Sequence, residues 1–254
     1  MSAYRPDLYG EPVPPRPVNI SLPSVTPAVT YTILAVTALF YLLQMGSEVF
    51  WHTDLPLTLG AKVNSLIRAG QYWRLLTPML LHGSLLHIGF NMYALIVIGS
   101  GLERRFGHGR FLLLYLLAGF AGNAFSFLFS TGYSVGASTA IFGLLAAEGV
   151  FLYQNRSLFG GQVRQALGNV ILVAAVNLML GLQPGIDNWG HVGGLLGGLI
   201  FAWFGGPRWE VQGVYPLLHM DDRRELRDVI LGAAIVLLVF GGLVMVGIFY
   251  PVTP

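Results

Sequence analysis

The stretch Gly136-Ala137-Ser138-Thr139-Ala140-Ile141-Phe142-Gly143 opens an apolar run that continues to about Tyr153. Small residues flank a single serine hydroxyl at the start of what reads as a membrane-spanning helix. A serine there costs little, because its hydroxyl can bond back to the backbone. Alone it implies no chemistry. Its meaning depends on whether a base lies at the same depth on another span.

The surrounding chain has the composition of a membrane protein. It has 254 residues, 54% hydrophobic and 10% charged, whereas soluble domains carry roughly 25% charged residues. So little charge cannot cover a globule with polar surface. The net charge of +2 carries no signal for nucleic acid as a partner. There is no cysteine, which excludes disulfides, thiolate metal sites and cysteine nucleophiles.

Apolar runs of about 17 to 25 residues suffice to cross a bilayer. Seven are predicted, at about Ala28–Gln44, Leu85–Leu102, Phe111–Ser130, Val135–Tyr153, Ala166–Leu182, Trp189–Phe204 and Val229–Tyr250. Residues 1–27 hold seven prolines and no apolar core, and read as a disordered or extended cytoplasmic tail. Asn19-Ile20-Ser21 fits a glycosylation pattern, discounted because it falls on the cytoplasmic side. Residues 28–206 form the expected six-span core, 207–228 a cytoplasmic linker, and 229–254 a seventh span with a short outer tail.

Orientation follows from Lys and Arg in the connections. With the N-terminus inside, eleven arginines fall on the inner side and only Lys62, Arg68 and Arg74 on the outer. The C-terminus is then outside. Compactness and the lack of cysteine fit a bacterial inner membrane. The connection 45–84 is long, and rich in residues such as Trp51, Tyr72 and Trp73 that prefer headgroup level.

Polar residues within spans are costly and mark candidate sites. The second span begins His82-Gly83-Ser84-Leu85-Leu86-His87-Ile88-Gly89-Phe90-Asn91. His87 and Asn91 are four apart and share a helix face; His82 is expected to point elsewhere. The sixth carries Gly190-His191-Val192-Gly193-Gly194, with glycine recurring every four residues at 190, 194 and 198 and at 193 and 197. Such ridges let helices approach closely. Gly136, Ala140 and Gly143 offer a matching surface on the fourth span. Both spans run from outside to inside, so Ser138 and His191 share a depth. The pair reads as a hydroxyl nucleophile activated by an imidazole.

Taken together, Gly136-Ala137-Ser138, His191-Val192-Gly193-Gly194 and the pattern His82-x4-His87-x3-Asn91 resemble the rhomboid family of intramembrane serine proteases. Trp73-Arg74 and Glu103-x-Arg105 also match, and the resemblance covers roughly residues 28–206. It implies an all-α polytopic membrane protein with a six-helix core plus one C-terminal transmembrane helix. It further implies that Ser138 is the nucleophile and His191 the base. His87 and Asn91 would be side-chain donors to the oxyanion beside the Ser138 N–H. Phe142 would pack on the imidazole, with Gly136 and Gly194 lining the site. No cofactor or metal is implied. The partners are transmembrane protein substrates, entering sideways between the second and fifth spans, and the bilayer itself; oligomeric state is left open.

Four finer expectations follow. Glu103 and Arg105 resemble a structural charge pair. Thr139, where the family commonly has glycine, is expected to narrow the cavity or to add a hydroxyl near the oxyanion. Asp187, four residues before His191, is a weak candidate for a third triad member, and Glu148 is expected in a structural bond toward the inner side.

Overall fold

Residues 21–214 and 217–250 are described by the computed structural model. Expectations for the segment 1–20, for Asn19 and for the tail 251–254 lie outside them. Helix α1 (Ala28–Trp51) turns a polar seam inward. Its buried residues are Thr30, Ile33, Thr37, Gln44 and Ser47, while Leu39, Leu42, Val49 and Phe50 are exposed. The three- and four-residue spacing puts the buried set on one face. In lipid the usual amphipathic pattern inverts, because the solvent is the apolar phase.

The first span runs on to Trp51 rather than ending near Gln44, so the expected connection 45–84 is shortened to residues 52–84, and it is folded. It contains α2 (Leu55–Gly60), α3 (Asn64–Arg68) and two single 3-10 turns. Asp54 caps α2 by accepting from the Leu57 N–H. Arg74 donates to the carbonyls of Ala61 and Thr58, each at 2.7 Å, and the Trp73 indole donates to the Leu59 carbonyl. These bonds satisfy backbone groups that a loop would otherwise expose at the membrane boundary.

Helix α4 (Leu85–Phe106) follows, with Ser84 capping it through the His87 N–H. A π-helical turn at Leu95–Gly99 interrupts its middle. Next come α5 (His108–Phe129), α6 (Ser138–Gln154), α7 (Arg156–Leu180, broken by a 3-10 turn at Gly160–Gln162) and α8 (Asn188–Gly205). An antiparallel hairpin pairs β1 (Trp209–Gln212) with β2 (His219–Asp222), and α9 (Leu226–Phe249) closes the described chain.

Five of these helices are long and apolar enough to cross a membrane: α1, α4, α5, α7 and α9. The shorter α6 and the glycine-rich α8 are interior helices wedged against α5. Each buries its closely packed face against protein, while Leu196, Leu199 and Trp203 leave one side of α8 exposed. The predicted fourth span begins later than expected. Gly136 has φ +127°, outside the helix, so it belongs to the turn into α6 and not to a packing ridge.

The two glycine ridges of α8 serve two neighbours. A Cβ on Gly194 would lie 2.0 Å from the Thr139 carbonyl oxygen, and one on Gly198 2.2 Å from the Gly143 oxygen, both on α6. A Cβ on Gly193 or Gly197 would instead meet Phe125 or Ala121 on α5, each at 2.3 Å. Backbones this close pack by dispersion without intervening side chains.

The expected Glu103–Arg105 pair is not made. Glu103 is fully buried and accepts from the Val29 and Thr30 N–H groups at the start of α1, from the Thr30 hydroxyl and from His108. It thus caps α1 from another helix, where four of the first-turn N–H groups lack internal acceptors. Arg105 reaches Glu148 on α6, with Nη1 3.0 Å from Oε1. Two residues apart on one helix, Glu103 and Arg105 point in different directions, and each finds a different partner.

Candidate active site

Ser138 is the first residue of α6, and His191 lies in the first turn of α8. Their helices run side by side in the same direction, held by the Gly194 and Gly198 contacts. The result is that His191 Nε2 sits 2.9 Å from Ser138 Oγ. The Phe142 ring stacks on the imidazole, centroids 4.3 Å apart and planes 17° from parallel. Phe142 is one turn beyond Ser138, so the same helix supplies the hydroxyl and the surface that fixes the ring.

His191 Nδ1 is buried and has no hydrogen-bond partner. Asp187 is engaged elsewhere. One of its oxygens accepts from the Gly190 N–H, capping α8, and the other meets the Ser126 hydroxyl. Asp187 therefore acts as a helix cap and makes no bond to the His191 imidazole.

His87 faces the same point from α4. An ideal Cβ at Gly136 would fall 2.7 Å from His87 Nε2 and 3.6 Å from Ser138 Oγ. The absence of a side chain at Gly136 lets the imidazole approach. The Gly83 N–H donates to His87 Nδ1 at 3.4 Å, which leaves the ring hydrogen on Nε2, the nitrogen aimed at the site. Asn91, one turn further along α4, is buried and gives one amide hydrogen to the His87 carbonyl at 2.9 Å. Its second amide hydrogen remains available. The N–H groups of Ser138, Thr139 and Ala140, in the first turn of α6, find no acceptor among the described residues. Such a turn concentrates donors where negative charge can be received.

His82 does not point away, as its spacing from His87 implied. Its ring meets that of His87 edge-on at 5.0 Å, and its Nε2 accepts from the Ala137 N–H at 3.4 Å. The helical wheel fails because α4 starts at Leu85, leaving His82 in the preceding connection. Burial, reinforced by the nearby His87, pushes the His82 pKa down to about 3. A neutral ring is what accepting from Ala137 requires. Gln44 of α1 fixes the His82 backbone from both sides, accepting from its N–H at 3.0 Å and donating to its carbonyl at 3.2 Å. Gln44 carried no motif in the sequence, where it closed the predicted first span; an amide at the edge of an apolar run was the signal that could have found it.

Thr139 is turned away from the site. It is 2% exposed, and its side chain fills the notch left by Gly122 on α5 and Gly190 on α8. Its hydroxyl has no partner. The expected effect on the cavity is therefore not seen; position 139 is part of the three-helix packing.

Comparison with known proteins agrees with the motifs. The family model for the Rhomboid domain matches residues 69–208. Over 180 residues the chain is 44% identical to Rhomboid protease GluP of Bacillus subtilis (strain 168), covering 69% of this chain and 34% of that protein. It is 40% identical over 144 residues to RHOMBOID-like protein 4 of Arabidopsis thaliana, covering 56% of this chain and 36% of that one. With RHOMBOID-like protein 9, chloroplastic, of the same plant it shares 35% identity over 152 residues, covering 59% and 35%. The chain thus spans only about a third of the length of these curated relatives. The match over more than half the chain, on an all-α protein with five helices fit to cross a bilayer, shows that this multi-pass membrane protein belongs to the rhomboid family.

Proposed function

We propose that the protein is an intramembrane serine endopeptidase that cleaves membrane-anchored substrates in or near their transmembrane segments. The observation that carries this reading is the 2.9 Å contact between Ser138 Oγ and His191 Nε2. His191 Nε2 takes the Ser138 proton as Oγ attacks the scissile carbonyl. The oxyanion is received by the Ser138 N–H and by His87 Nε2–H, with Asn91 next along α4. One such fixed donor is worth about 3–4 kcal/mol in the transition state. His191 then gives its proton to the leaving amine, and an ester on Ser138 remains. Water, deprotonated by His191, attacks that ester, and the released Oγ regains the proton.

The reading extends to topology. The N-terminus is cytoplasmic, the C-terminus and the connection 52–84 are outside, and the arginines at the other end of the bundle hold that end inside. A bacterial inner membrane suits this arrangement. The six helices α1 and α4–α8 form the catalytic core, with α9 appended.

Ser138→Ala and His191→Ala should each abolish cleavage of a single-span test substrate by the detergent-purified protein. A fluorophosphonate probe should label the natural chain and not Ser138→Ala. Full cleavage by Ser138→Ala would refute the assignment. Substrate binding without probe labelling would instead identify a non-catalytic client-binding protein.

A further inference from the structure

We infer that Lys62, in the connection between α1 and α4, is a positioning residue for Ser138. By gathering carbonyls of the connector between α5 and α6, its ammonium sets where that connector delivers the serine. The inference rests on the reading of Ser138 as nucleophile.

Lys62 is 0% exposed, among the largest fully buried side chains of the protein. Its Nζ donates to the Gly132 carbonyl at 2.7 Å, to Asn64 Oδ1 at 3.0 Å and to the Ser130 carbonyl at 3.4 Å. An ammonium has three hydrogens, and here each has an acceptor. Asn64 repeats the grip by donating to the Ser130 and Phe127 carbonyls at 2.7 and 3.2 Å. The Lys62 backbone adds an antiparallel bridge, exchanging N–H···O bonds of 3.0 and 3.1 Å with Ser134. Further along, the Gly136 N–H donates to the Pro78 carbonyl at 2.9 Å and the Ala137 N–H to His82 Nε2.

The connector is therefore stitched to the outer loop at residues 130, 132, 134, 136 and 137, and the next residue is Ser138. Packing of α6 fixes the serine's depth and direction. The first-turn N–H groups and the Oγ rotamer depend instead on how the chain enters the helix, and that entry is held from the loop. Lys62 is the charged end of the stitch. Charge-assisted bonds are roughly twice as strong as neutral ones, and a buried lysine is retained only where its hydrogens are all used.

Burial draws the Lys62 amine down to about 8, against the opposing pull of Asp187 at the start of α8, the charged group that faces it. Deprotonation leaves two hydrogens for three acceptors, so one carbonyl then faces a lone pair. The sign for global stability is opposite. Between about 8 and the unfolded value of 10.5 the unfolded chain binds more protons, so this group makes the fold more stable as pH rises. A local loosening without global loss is the signature that separates positioning from mere structure.

The test uses the full chain in detergent. Hydrogen exchange from pH 7 to 9.5, corrected for intrinsic rates, should show the amides of Ser134 and Gly136 losing protection through about pH 8, while α8 keeps its protection. Fluorophosphonate labelling of Ser138 should slow about tenfold over the same range, in line with one charged hydrogen bond. Lys62→Met should label and turn over at least about tenfold more slowly, with KM little changed and no alkaline limb. Lys62→Arg should restore part of the rate and move the limb upward. Labelling of Lys62→Met at the natural rate would overturn the proposal, as would protection lost equally in α8. If Lys62→Met does not fold, the exchange profile of the natural chain decides. If the natural chain neither labels nor cleaves, the nucleophile reading fails, and exchange still reports whether Lys62 holds the connector.

Discussion

Thr139 shows how far a single letter can be read. Beside a candidate nucleophile it invited a role in the cavity, yet its side chain lies in the Gly122–Gly190 notch with an unpaired hydroxyl. An unsatisfied buried hydroxyl costs more than a methyl of the same shape. Thr139→Val should therefore raise the thermal midpoint, by an amount equivalent to about 1 kcal/mol, and leave cleavage within twofold. Asp187→Asn should leave turnover within a few-fold, because the side chain caps α8 rather than orienting the imidazole. Loss near the ~10,000-fold seen when a triad aspartate is replaced would contradict that. The Ser138–His191 contact was legible because parallel helices share depth by simple counting. The placement of His82 was not, since helical spacing says nothing about residues before the first turn. Nor was that of Thr139, whose direction is set by gaps on two other helices.

At the scale of elements, the glycine spacing of α8 foretold close approach, and the structure adds that its two ridges address two different helices. Gly198→Ala places a Cβ 2.2 Å from a backbone oxygen of α6, where no side chain can rotate away. It should cost roughly 1–3 kcal/mol, the usual range for overpacking, and lower activity by moving His191 from Ser138. Gly241→Ala on α9, where a Cβ meets open space, is the matched control in a thermal melt. Helix α4 was less legible. Its π-helical turn at Leu95–Gly99 inserts one extra residue, rotating the two halves by about 100° relative to a continuous helix. This turns His87 toward the site and Glu103 toward α1, and no periodicity in the sequence announces it. The folded state of residues 52–84 was equally hidden, because it rests on side chains such as Arg74 and Lys62 reaching distant carbonyls.

Across the whole molecule, charge sorts to one end. Arg110, Arg208 and Arg223 gather at the hairpin, where Arg110 binds Asp222, the Arg208 N–H donates to Asp222 and Arg223 binds Glu210. The proposed orientation, N-terminus inside, has a direct check, helped by the lack of natural cysteine. In right-side-out vesicles an impermeant maleimide should label Tyr133→Cys, 70% exposed, and spare Val214→Cys, 82% exposed; the reverse pattern would invert the topology. At the opposite end, Arg68 donates to the Gly247 carbonyl at 3.0 Å and lies over Phe127, so α9 is fastened to the folded loop. One helix stands apart from this closeness. Neither segment of α7 buries a single residue, whereas α8 buries nine. Apolar side chains on α7 should therefore be largely interchangeable, whereas those at the buried positions of α8 should not: a saturation library should find nearly every apolar exchange accepted in the first helix and almost none at the buried positions of the second.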